Sequence, residues 1–163
     1  MEFKTLKVIF KHLFNFLVLS SISFTAVAQV VLIEGHIRAM PASVPNTAAY
    51  FVLENPTDTL QRLVAVKTSA AKDAQLHTIL EENGMVKMRQ VSGFDIQPKS
   101  NLTLAATGDH LMLLSLVKPL AIGDKVTLEL IFDQGEPQQI ELQVQGAEKA
   151  EAQELSNSHH HHH

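Results

Sequence analysis

Past residue 29 the chain alternates apolar and polar positions in short runs separated by turn-forming residues. Val30 to Ile37 is apolar and β-branched, Thr47 to Leu53 follows a Pro45-Asn46 turn signal, and Leu60 to Lys67 alternates after Asn55-Pro56-Thr57-Asp58. The pattern continues through Gln75 to Leu80, Met85 to Val91, Asn101 to Ala105, Leu111 to Val117, Lys125 to Phe132 and Gln138 to Val144. Glu82-Asn83-Gly84, Gly93, Pro98-Lys99, Thr107-Gly108-Asp109, Gly123-Asp124 and Asp133-Gln134-Gly135 punctuate the runs. A period of two places every second side chain on one face of a strand. Short strands spaced this way predict an antiparallel sandwich or barrel. No helix is expected beyond a single turn over Ser69 to Lys72, and no internal repeat is visible.

The beginning of the chain reads differently. Lys4, Lys7 and Lys11 precede a mostly apolar stretch from Leu13 to Phe24, and Ala26-Val27-Ala28 supplies a small-x-small cleavage site. That is the layout of a secretory signal over residues 1–28; a retained N-terminal anchor is the alternative. Asn15 and the Ser-rich end make the stretch too short and too polar to be expected as a membrane span. No cysteine stands near the cleavage site to carry a lipid, so a lipoprotein anchor is not expected. Cleavage removes three Lys and one Glu, which takes the formal net charge from −4 to −6. The expected product is an exported, periplasmic β domain over 29–146 with no membrane span, followed by a polar tail over 147–163.

Composition narrows the chemistry. A negative chain with one Tyr and no Trp is a poor nucleic-acid binder. At 45% hydrophobic and 18% charged it can bury a core without disulfides, which it cannot form because it has no cysteine. The same lack rules out a blue-copper site, which needs a thiolate. No nucleophile–base set is evident, so no catalysis is expected.

Four soft donors stand out: His77, Met88, His110 and Met112. Ten residues separate the first two, 21 separate Met88 from His110, and Leu111 alone separates His110 from Met112. Taken singly, a strand His is ordinary polar surface and a Met is core filler. Together, imidazole and thioether without thiolate or carboxylate favour Cu(I); calcium and magnesium want oxygen, and zinc sites rarely use Met. A four-residue hairpin loop over Glu81 to Gly84 would set Leu80 opposite Met85 and His77 opposite Met88. A loop closing one residue differently on each side leaves the pair diagonal but on one face. His110 and Met112, two residues apart, share a face if the strand begins at His110. Spacing supports each pair but does not show that the two pairs meet. Met85 falls on the opposite face from Met88, and His36 and Met40 read as ordinary edge positions that are candidate accessory donors. Asn46 and Tyr50 read as turn and packing residues.

The spacing H-x10-M-x21-H-x-M resembles that of the periplasmic Cu(I) chaperone family called PCuAC. Pro45-Asn46-Thr47-Ala48-Ala49-Tyr50-Phe51, Met88-Arg89-Gln90-Val91, His110-Leu111-Met112-Leu113-Leu114, Lys118-Pro119-Leu120 and Gly123-Asp124 extend the similarity over about residues 30 to 145. Thr78 and Ile79 stand where members often carry a Met, and Thr107-Gly108-Asp109 replaces a Gly-Gly-like turn. The resemblance implies an all-β, cupredoxin-like antiparallel sandwich of Greek-key type, binding Cu(I) through His77, Met88, His110 and Met112. It further implies delivery to a respiratory copper centre such as the CuA domain of cytochrome c oxidase. Copper buffering, or an exported interaction module that binds no metal, are the alternatives. The chain ends in His159, His160, His161, His162 and His163. This run is read as native rather than as a purification tag, because it holds five histidines and the leader is still present. A native run would be a second site, taking Cu(II).

Overall fold

The computed structural model describes residues 29–146. The leader expected over 1–28 and the His-rich tail expected over 147–163, with His159 to His163, lie outside the described residues. Ten strands follow in order: β1 (Val31–Arg38), β2 (Thr47–Asn55), β3 (Gln61–Lys67), β4 (Ala71–Glu82), β5 (Met85–Gln90), β6 (Phe94–Ile96), β7 (Ser100–Leu104), β8 (His110–Leu116), β9 (Lys125–Phe132) and β10 (Gln138–Gln145). Among the described residues no helix is long and apolar enough to cross a membrane. The all-β, cupredoxin-like class is the one expected.

Hydrogen-bonded neighbours run β5-β4-β8-β2-β1-β10-β9-β3-β6, and β7 also pairs with β2. All these pairs are antiparallel except β1 with β10, which run parallel and make the sheet mixed. The strand β2 organises the fold. One side of it pairs with β1. Its other side takes β8 at Thr47–Ala49 and then β7 at Phe51–Asn55. The sheet folds back so that β6 lies beside β7 and β3 beside β4, enclosing one core.

Alternation along the strands fills that core. Ala49, Phe51 and Leu53 of β2, Leu111 and Leu113 of β8, Leu128 and Leu130 of β9, and Leu142 and Val144 of β10 are buried. Full burial of each larger side chain stabilises the fold by about 1.5–3 kcal/mol. At the far end Asn55, also buried, donates to the carbonyls of Thr59, Ile96 and Gln97 and accepts from Thr57. It thereby ties the β2–β3 turn to β6.

Three expectations are corrected. The single helical turn over Ser69 to Lys72 does not form: β4 starts at Ala71, where pairing with Leu116 extends the ladder. Strand β6 was not foreseen, because three residues are too few to show a period; Phe94 and Ile96 are nonetheless buried there. The hairpin between β4 and β5 is closed by two residues, not four. Asn83 (φ 56°) and Gly84 (φ 73°) both adopt left-handed conformations. That is the Asn-Gly signature of a type I′ turn, whose twist matches the strands it joins.

Candidate metal centre

The tight turn sets the register around the four donors. Glu82 pairs with Met85, so His77 pairs with Gln90 and Met88 with Ile79. Met88 is therefore diagonal to His77, not directly opposite as the longer loop would have it. Both remain on one face, since Ile79 and His77 are two residues apart.

The other pair joins from the opposite side of β4. His77 is paired on both sides, with Gln90 of β5 and with His110 of β8. The two imidazole centroids are 5.8 Å apart, with planes inclined at 58°. Met112, two residues beyond His110, stands opposite Gln75 and so is diagonal to His77. Strand β8 does begin at His110, as the shared face requires. All four donors thus lie on one face of three adjacent strands, β5, β4 and β8. Leu76, Leu111 and Leu113, which alternate with them, point into the core. Diagonal neighbours on such a face are about 7–8 Å apart, within reach of a long side chain.

The cluster is closed at one end and open at the other. His110 is only 3% exposed, His77 and Met112 are half-buried, and Met88 is 55% exposed. Beyond His77 the β4–β5 hairpin extends past the end of β8, leaving β5 exposed along its whole length. On its opposite face Glu82 pairs with Lys87 and Arg89, both at 3.0 Å. Surface ion pairs of this kind contribute little stability, so the turn and ladder carry the hairpin.

Each imidazole has one nitrogen engaged and one free to bind. His110 Nδ1 donates to the Gly108 carbonyl at 2.8 Å, which leaves the Nε2 lone pair unused. His77 Nε2 lies 3.0 Å from Gln75 Oε1, while its Nδ1 is buried without a hydrogen-bond partner. Metal-bound histidines are typically held from behind in this way. Burial, and then the proximity of His110, hold the His77 pKa below its ordinary value of 6.5, which favours the neutral ring. Among the described residues no three His, Asp or Glu come together at metal-binding range. The two imidazoles and two thioethers on this face could supply two nitrogens and two sulfurs, a set that would suit a soft monovalent ion such as copper(I).

The remaining candidates fall elsewhere. His36 is not at an edge: β1 lies between β2 and β10, and His36 is buried with its ring 5.4 Å from Tyr50 in an edge-on contact. Met40 follows β1, half-buried, and Met85 faces away from Met88. Asn46 accepts from the Ser115 amide at 2.9 Å, a turn-anchoring role as expected. The sequence reading missed Gln75 and the Gly108 carbonyl. Gln75 could have been found, because it sits two residues before His77 and so shares its face.

A family model described as "Putative lipoprotein LpqE-like" matches residues 30–144. A similarly described protein, Lxx21020 of Leifsonia xyli subsp. xyli (strain CTCB07), is 35% identical over 99 residues. That match covers 60% of this chain, and the chain spans 60% of the length of that relative. Among solved structures, Cu(I)-DR1885 from Deinococcus radiodurans is 33% identical, with a TM-score of 0.60 over 74% of this chain and 81% of its own. The copper-bound PCuAC domain from PmoF2, at 21% identity, shares the fold with a TM-score of 0.62 over 74% of this chain and 96% of its own.

Proposed function

The chain belongs to the LpqE-like family, a PCuAC-type family, and on that premise we propose that it is an exported carrier that binds one Cu(I) through His77, Met88, His110 and Met112. The observation that carries this reading is the shared face of β5, β4 and β8. There, two imidazoles with unused ring nitrogens share a face with two thioether side chains, and one of those nitrogens is buried without a partner. The copper-bound state of DR1885, as its description gives it, supports the choice of metal.

The arrangement favours hand-over above storage. His110 is fixed by Gly108 and enclosed, whereas Met88 is the outermost donor on a strand exposed on both faces. An incoming ligand from an acceptor can displace the Met88 thioether first, while the histidines keep hold. Neutral donors leave the charge of the ion uncompensated and bind it less tightly than thiolates would, so exchange stays fast. Thioethers are also spared disulfide formation in an oxidising compartment, although they can be oxidised to sulfoxide. The acceptor proposed is a respiratory copper centre such as the CuA domain of cytochrome c oxidase, with the acidic surface aiding docking to a complementary partner. Export through the leader over 1–28 belongs to the same proposal.

An anaerobic Cu(I) titration tests it, on a full-length variant in which His159 to His163 are replaced by Ser. One equivalent should bind, with affinity reduced by Met88→Ala and again by Met112→Ala. Stoichiometric binding that survives both substitutions together would refute the four-donor site. Transfer of the bound copper to an apo CuA domain, followed by its visible absorption, separates delivery from storage.

A further inference from the structure

Three polar side chains line the outer face of β4 at alternate positions: Asp73, Gln75 and His77. They are joined in series. Gln75 Nε2 donates to Asp73 Oδ2 at 2.6 Å, and Gln75 Oε1 meets His77 Nε2 at 3.0 Å. Asp73 is itself held by the Ala74 amide, which donates to its Oδ1 at 2.9 Å.

The chemistry of these groups fixes where each hydrogen sits. An ionised carboxylate only accepts, so the Gln75 amide must turn its NH2 to Asp73 and its oxygen to His77. An amide oxygen also only accepts, so the hydrogen between Gln75 and His77 belongs to His77 Nε2. A neutral imidazole carries one N–H. The lone pair must therefore be on Nδ1, the nitrogen that is buried without a partner.

We propose that Asp73 and Gln75 are positioning residues that lock His77 in its Nε2–H tautomer, so that it presents Nδ1 to the metal while His110 presents Nε2. This rests on the copper reading above. Asp73 orients Gln75, Gln75 orients the ring, and no reorganisation is then needed when copper arrives. The two histidines are held by different means: His110 by a main-chain carbonyl, His77 by a side-chain relay that substitution can remove without touching a donor.

Two-bond proton–nitrogen correlation spectra of the 15N-labelled, metal-free full-length chain test the relay directly. At a pH where both rings are neutral, His77 should show a protonated Nε2 and a bare Nδ1. Gln75→Leu should mix the tautomers or invert them. Asp73→Ala should do so to a smaller degree, whereas Asp73→Asn, whose side-chain oxygen still accepts from Gln75 Nε2, should keep the original pattern. Amide dispersion in the same spectra shows whether each variant is folded. Cu(I) affinity should fall by about 10- to 100-fold in Gln75→Leu and stay near that of the parent in Asp73→Asn. The relay is refuted by an Nδ1–H ring in the unsubstituted protein or by an unchanged ring in Gln75→Leu. Unchanged copper affinity in a Gln75→Leu protein with an altered ring would overturn ligation through Nδ1. If the unsubstituted protein bound no copper at all, the carrier function would fail, while the ring spectra would still report on the relay.

Discussion

Adjacent residues of β8 should fail in opposite ways when truncated. Leu111 is fully buried and pairs with Leu76 and Ala49, both core residues, whereas Met112 is half-buried on the donor face. Leu111→Ala removes three carbons from a closed core, so transfer and cavity terms together should cost about 2–5 kcal/mol. At about 4 °C per kcal/mol for a domain of this size, Tm should fall by roughly 8–20 °C. Its four donors are untouched, so the folded protein should still bind one Cu(I) with near-native affinity. Met112→Ala leaves no enclosed cavity and should cost about 1 kcal/mol, yet it removes a donor and should weaken copper binding sharply. Thermal melts by circular dichroism, with Cu(I) competition titrations below the transition, give both numbers for each variant. A stable Leu111→Ala that has lost copper, beside an unstable Met112→Ala that keeps it, would refute the two-face assignment of β8.

Three further outcomes follow from other parts of the structure. The His77 pKa is lowered on folding, so between 6.5 and its folded value the unfolded chain binds more protons. The contribution of His77 is therefore present above pH 6.5 and lost as pH falls through the folded value. Urea midpoints of metal-free protein should drop over that range, and His77→Ala should remove the dependence. Gly84 (φ 73°) has open space around it, so Gly84→Ala carries only backbone strain of about 1 kcal/mol. That strain falls on the hairpin bearing Met88, so faster amide exchange at Met85 and weaker copper binding should appear together. At Gly35 an added Cβ would lie 2.5 Å from Phe51 Cβ and 3.0 Å from the Tyr50 carbonyl, atoms that cannot swing aside. Gly35→Ala should destabilise by about 1–3 kcal/mol, and a denaturation midpoint equal to the parent's would contradict the packing of β1 against β2.

Local alternation made most of the fold readable, because a strand with one buried face writes a period of two into the sequence. Among the described residues, nine of the ten strands lie where that period places them. It failed at β6, whose three residues are shorter than any usable window, and at the start of β4. There, pairing of Ala71 with Leu116 overrides a locally helix-tolerant segment. Register is a finer quantity than strand identity. It turned on whether Asn83-Gly84 closes the hairpin alone, and the Asn-Gly pair was visible as a signal for the tight turn. The meeting of His77 with His110 was not readable from spacing, since it depends on β4 and β8 becoming neighbours across 33 residues of chain. Gln75 takes its place between Asp73 and His77 from the local alternation on β4, which the sequence carries, whereas its position opposite Met112 came only from the assembled sheet.

Counting the atoms around the metal reaches the central claim most directly. X-ray absorption at the copper edge should be recorded on Cu(I)-loaded full-length protein in which His159 to His163 are replaced by Ser. The account predicts a first shell of two sulfur and two nitrogen neighbours, with one sulfur lost in Met88→Ala and the other in Met112→Ala. A shell of nitrogen and oxygen alone, unaffected by either substitution, would contradict it.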